Sequence, residues 1–123
     1  MRKAPLLAVL ALAAPALAAD RGDVPAATPV GKPVDCVRTM DIRSTHVRSD
    51  EVIDFVMRDG KVYRNTLDGG RCPSLGFEER FSYRTSIAQL CSVDIITVLQ
   101  GPGLQQGASC GLGKFQQVEL AKR

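Results

Sequence analysis

The sequence predicts an all-β domain: a small antiparallel barrel or sandwich of five to six short strands with two disulfides. Three observations point there. Apolar residues recur at a period of two in several segments, as the half-buried face of a strand requires. Clusters of Gly, Pro, Asp and Ser interrupt those segments at short intervals. Four cysteines follow a start that reads as an export signal.

Residues 1–18 open with Arg2 and Lys3. A short apolar stretch through Leu6, Leu7, Val9, Leu10 and Leu12 comes next, and Ala16-Leu17-Ala18 puts small residues at a cleavage site. This is the pattern of a secretory signal peptide. The apolar run, about ten residues, is too short to span a bilayer as a helix. Cleavage near Ala18 is expected to release a chain of about 105 residues, enough for one small domain. Without Arg2 and Lys3, fourteen basic residues face 13 acidic ones, so charge gives no direction. No basic run suggests nucleic acid. Trp is absent and Phe and Tyr are few, which speaks against a base-stacking platform.

Residues 19–34 (ADRGDVPAATPVGKPV) hold Pro, Ala, Gly and scattered charge, and are expected to form a flexible leader. Arg21-Gly22-Asp23 within it is read as chance. The domain is expected to occupy residues 35–123. Residues 42–48 are β-prone and Ser49-Asp50 marks a turn. Residues 51–57 alternate, and Asp59-Gly60 signals a hairpin returning through residues 61–67. A three-residue loop, Arg58-Asp59-Gly60, sets Phe55 opposite Tyr63 and Asp54 opposite Arg64. Gly60 then takes the left-handed position of a bulge. This register puts Ile53, Phe55, Met57, Tyr63 and Leu67 on one face; the two-residue alternative mixes Arg64 into it. Asp54 and Arg64 are expected on the outer face, worth below about 1 kcal/mol if exposed.

Residues 68–80 are turn-rich, with Gly69, Gly70, Pro73 and Gly76. Residues 81–85 alternate as a strand, and residues 86–90 could form one helical turn. Residues 93–99 are the most apolar run. Their β-branched residues predict a central strand covered on both faces. Residues 100–113 are expected to be a Gly-rich loop, and residues 114–120 a last, weaker strand.

Cys36, Cys72, Cys91 and Cys110 form an even set with no C-x-x-C spacing, so disulfides are expected rather than a redox motif or a zinc site. Three connectivities are open. Chain placement favours Cys72–Cys91, which would pin the turn-rich 73–80 segment. Cys36–Cys110 would then staple the two ends of the domain.

No catalytic signature emerges. A phosphate loop needs G-x-x-x-x-G-K-[ST], but the window ending at Gly113-Lys114 begins with Ala108 and continues to Phe115. Gly101 and Gly103 miss the dinucleotide fingerprint because Gly107 falls one position late. His46 is the sole histidine and sits in a polar strand segment, where a surface role is the plainer reading. Glu78, Glu79 and Asp94 have no spacing that joins them as an acid pair. Arg71, Arg80 and Arg84 crowd Cys72 and could bind an anion, or pair with Glu78, Glu79 and Asp68. No catalytic, cofactor-binding or metal-binding residue is assigned, and no cofactor, nucleic acid or membrane anchor is expected.

Several segments carry a likeness. These are Cys36 with Ile42, Tyr63-Arg64-Asn65-Thr66-Leu67, Cys72-Pro73-Ser74-Leu75, Phe81-Ser82-Tyr83, Leu90-Cys91, Asp94-Ile95-Ile96 and Cys110-Gly111-Leu112. Together they resemble a family of short exported bacterial proteins whose β domain has no assigned function. The resemblance implies secretion and a small β domain, and it implies no activity. The expectation is a periplasmic or secreted, non-enzymatic binding or interaction module, its partner an envelope protein. The alternative is an inhibitor of an envelope-active hydrolase that inserts the 101–113 or 68–80 loop.

Overall fold

The computed structural model describes residues 24–122. The segment expected to be an export signal, its expected cleavage site and Arg21-Gly22-Asp23 lie outside the described residues. The strands are β1 (Ala27–Pro29), β2 (Cys36–Arg38), β3 (Ile42–Val47), β4 (Val52–Met57), β5 (Val62–Thr66), β6 (Phe81–Tyr83), β7 (Gln89–Cys91), β8 (Ile95–Gln100), β9 (Gln105–Gly111) and β10 (Phe115–Leu120). One α-helical turn, α1, spans Leu75–Glu78, and a 3-10 turn spans Thr39–Asp41. The architecture is all-β, antiparallel and sandwich-like. Three sheets run in the orders β1-β10-β5-β4-β3, β6-β8-β9 and β2-β7, and they do not close into a barrel. The described residues hold ten strands where five to six were expected; β1, β2, β7 and β9 are the additional ones, and three of these four are only three residues long.

The 51–67 hairpin has the predicted register. Phe55 lies opposite Tyr63 and Asp54 opposite Arg64. Met57 N–H donates to the Lys61 carbonyl, closing the three-residue loop, and Gly60 has φ +95°. A side chain at that φ would be strained. The inner face of this hairpin forms one half of the core. Phe55 packs edge-on against Phe115 of β10 at 5.3 Å and against Phe81 of β6 at 6.5 Å. The Phe55–Phe81 contact joins the five-stranded sheet to the three-stranded one. Ile53, Leu75, Leu90, Ile96, Val98 and Leu112 fill the same core.

The outer face departs from expectation. His46, Asp54, Arg64 and Gln116 form one cross-strand row, yet Asp54 is 0 % exposed. Arg64 donates twice to its carboxylate, at 2.8 and 3.0 Å, and Arg48 once, at 2.9 Å. The two arginines shield Asp54 from water.

Four further expectations are corrected. The leader is not wholly free: β1 pairs with β10, placing Pro29 opposite Val118, and Val34 bridges Phe115. An edge strand needs only backbone pairing, and it tolerates Pro29. Residues 105–111 are strand rather than loop. Residues 89–91 are strand rather than helix, and the helical turn falls at 75–78 instead. The 93–99 run is central in its sheet but covered on one face only: Ile96 and Val98 are buried, while Ile95 is 56 % and Val93 85 % exposed.

The disulfides are Cys36–Cys91 and Cys72–Cys110, not Cys72–Cys91 and Cys36–Cys110. Strand register decides this. Cys36 and Cys91 are direct cross-strand partners in β2 and β7. Cys72 is buried in the core, and Cys110 packs against that same core.

One buried polar contact fixes the turn from β9 into β10. Asn65 is fully buried on β5. Its amide donates to the Gly113 carbonyl at 2.7 Å and accepts from the Gly113 N–H at 2.8 Å. A Cβ on Gly113 would collide with the Thr66 carbonyl oxygen, so only glycine allows this approach.

Candidate functional site

A concavity lies between the β3–β4 turn and the 68–80 segment. It is an open groove of about 710 Å³, lined by Arg48, Asp50, Glu51, Arg71 and Phe77 among others. Its wall is built around one carboxylate. Asp50 Oδ2 accepts from Arg71 at 2.7 Å, and Oδ1 accepts from the Gly76 N–H at 2.7 Å. The Asp50 carbonyl takes the Cys72 N–H at 2.8 Å. Thus one turn residue holds both the start of the segment and the first turn of α1. The Arg71 and Gly76 hydrogen bonds, with the Arg71 charge, outweigh partial burial and hold the Asp50 carboxyl below the ordinary aspartate range.

Two more ties fix the segment. Cys72–Cys110 bonds its start to β9. At its end, Glu78 accepts from Arg80 at 2.9 Å and from the Gly101 N–H at 3.2 Å. Leu75 is buried between these ties. Ser74 and Glu79 flank α1 in left-handed conformation, at φ 69° and 58°. Gly76 packs closely here: an added Cβ would sit 3.0 Å from the Asp50 carboxylate and 3.1 Å from its backbone nitrogen.

Phe77 lies in α1 of this held segment and is 85 % exposed. It is the one aromatic among the exposed large hydrophobic side chains of the described residues. Arg71 and Glu51 supply charge beside it. The arrangement can bury a ring against an apolar partner pocket and pair charges at its rim. It has no nucleophile paired with a base.

The candidates taken from the sequence scatter. His46 lies exposed on β3, opposite an Asp54 whose carboxylate is held by Arg48 and Arg64. Glu78 is bound to Arg80. Asp94 accepts the Cys91 N–H at 2.7 Å and serves the turn before β8. No acid pair forms between them. Of the arginines around Cys72, Arg80 pairs with Glu78 as expected, whereas Arg71 pairs with Asp50, which sequence reasoning left in a turn. Residues 101–113 are largely committed to β9 and its pairing, which leaves 68–80 as the segment with a presented tip. Among the described residues, no group of three or more His, Cys, Asp or Glu side chains could hold a metal ion. No described helix is long and apolar enough to cross a membrane.

The class defined by fold and site is a disulfide-bonded, sandwich-like β domain with one braced, aromatic-tipped segment. No family profile, curated protein or solved structure matches the chain.

Proposed function

We propose that the chain is an exported, non-enzymatic binding module of the periplasm, and that residues 68–80 are its contact element. Export rests on the residue 1–18 pattern and agrees with two disulfides, which persist in oxidising compartments. The likeness to short exported bacterial proteins belongs to the same reading. The single observation that carries the binding role is Phe77, 85 % exposed on a segment tied by Asp50, Cys72–Cys110 and Glu78. A braced segment is already ordered before it binds, so association costs less conformational entropy. Aromatic anchors of this kind carry a large share of binding energy at protein interfaces.

The same observation supports a second reading, inhibition of an envelope hydrolase, with Phe77 entering the enzyme's cleft. Affinity capture from envelope extract with the oxidised protein tests both. Phe77→Ala changes an exposed side chain and leaves the fold intact. Binding of the captured partner is expected to weaken by roughly 30-fold or more. A partner held equally well by Phe77→Ala contradicts the assignment of the segment. A captured hydrolase whose activity falls on adding the protein selects the second reading. Intact mass of the exported protein tests the leader: loss of residues 1–18 is expected, and a retained Met1 contradicts export by cleavage.

A further inference from the structure

Among the edges of the two larger sheets, one differs from the rest. On the five-stranded sheet, β1 is three residues long and contains Pro29. β3 carries Arg43 and His46, is followed by Arg48, and has a register irregularity after Ile42. On the three-stranded sheet, β6 has three residues, flanked by Arg80 and Arg84. Short length, proline, charge and bulges are the devices that stop edges from pairing with other chains. β9 has seven residues, Gln105–Gly111, with no charge and no proline. A bulge at Gly107–Ala108 interrupts its first half, since Thr97 pairs with Ser109 but Leu99 with Gln106. Beyond the bulge, Ser109–Gly111 runs regularly.

The ladder fixes which groups of β9 are free. Leu112 donates its N–H to the Asp94 carbonyl. Hydrogen-bonding positions alternate along an antiparallel strand. Cys110 therefore faces β8, and the N–H and C=O groups of Ser109 and Gly111 point away from it. Among the described residues, neither has a backbone partner outside the strand ladder.

We propose that this edge is where a second copy of the chain docks, β9 against β9 in antiparallel register. The charge pattern favours self-pairing here over the other long edge. Two copies joined through β3 would bring Arg43, His46 and Arg48 of each against the other, whereas β9 brings no charge to the seam. A register centred on Cys110 sets Ser109 opposite the partner subunit's Gly111, and by symmetry Gly111 opposite the partner subunit's Ser109. Each pair can exchange both of its backbone hydrogen bonds. Gly111 has no Cβ, and one added there meets nothing within 4 Å, so the pair is sterically undemanding. The two three-stranded sheets become one continuous sheet. This inference is independent of the role given to Phe77.

Sedimentation velocity of the oxidised protein, over a series from micromolar to millimolar, tests it together with amide exchange. A shift from monomer to dimer is expected, with Ser109 and Gly111 amides gaining protection as dimer forms. Ser109→Lys/Gly111→Lys sets like charges opposite each other across the seam, and Ser109→Pro removes an outward donor while leaving the Cys110 and Leu112 bonds to β8. Each variant, checked for native circular dichroism, is expected to weaken the dimer at least tenfold. A monomer across the whole series overturns the proposal and leaves the edge to a strand of another protein. A dimer of unchanged strength in both variants, or one that leaves the Ser109 and Gly111 amides unprotected, also overturns it.

Discussion

Asp54 is the residue whose environment departs furthest from its sequence context. Its place opposite Arg64 was legible, because only one hairpin register separates the apolar residues from the charged ones. Its burial was not, since Arg48 reaches it from the end of β3 across a non-local pairing. Burial pushes the Asp54 carboxyl up, but the Arg64 and Arg48 hydrogen bonds and charges outweigh it and hold the group below the ordinary aspartate range. The stabilisation from this lowering is fully present above about pH 4 and is lost as pH falls through the folded value. Asp50 acts in the same direction. Asp54→Asn removes one of these linked groups and leaves two arginines without their anion. It is expected to cost about 3 kcal/mol at neutral pH. Denaturant titrations should show its stability falling less steeply than wild type below about pH 4, and an acid limb as steep as wild type contradicts the linkage.

Asn65 and Gly113 make a second residue-scale case. Nothing in Tyr63-Arg64-Asn65-Thr66 announces that this amide pairs with a backbone 48 residues away. Asn65→Ala would leave the Gly113 N–H and C=O buried without partners, at about 2–4 kcal/mol by chemical denaturation. Gly113→Ala meets the Thr66 carbonyl and should lose roughly 3 kcal/mol or more. Wild-type stability in Gly113→Ala would show that the two strands can move apart.

At the scale of elements, the legible strands were β3, β4, β5, β6, β8 and β10, whose segments are β-prone, alternating or continuously apolar. The missed ones have other reasons to be strands. β1 pairs through an edge and contains Pro29, so it has no apolar face to read. β9 is built from Gln, Gly, Ala and Ser, and its glycines mimic a loop. Its pairing with β8, together with the disulfide at Cys110, overrides that composition. β7 is three residues long and is held opposite β2 by Cys36–Cys91. Missing β7 is what misdirected the disulfide pairing, because the register that joins Cys36 to Cys91 exists only once that strand is known. A two-stranded ribbon has little stability alone. Loop-closure entropy assigns about 4 kcal/mol to each bridge. Cys36→Ser/Cys91→Ser should lower stability by that order and release the β2 and β7 amides to fast exchange, while β4 and β5 keep their protection. Equal protection in β2 and β7 with and without the bridge contradicts its role. Non-reducing peptide mapping should recover Cys36 with Cys91 and Cys72 with Cys110.

For the whole molecule, apolar alternation, turn clusters and cysteine content were enough to give the class: a small all-β unit with two disulfides. They could not give the layers, because sheet order depends on which strands meet at a distance. They also could not single out the candidate contact element. Phe77 sits in the sequence as one aromatic residue in a glycine-rich stretch. Only the fold shows that Asp50 holds the backbone beside it and that Phe77 stays exposed while Leu75 of the same turn is buried. The account therefore turns on order in residues 68–80: a braced segment can present Phe77 ready to bind, and a loose one cannot. Backbone ¹⁵N relaxation of the oxidised protein measures this directly. The Gly76 and Phe77 amides are expected to have order parameters near those of β4 and β5, about 0.85. Values below about 0.6, typical of flexible backbone, would contradict the account.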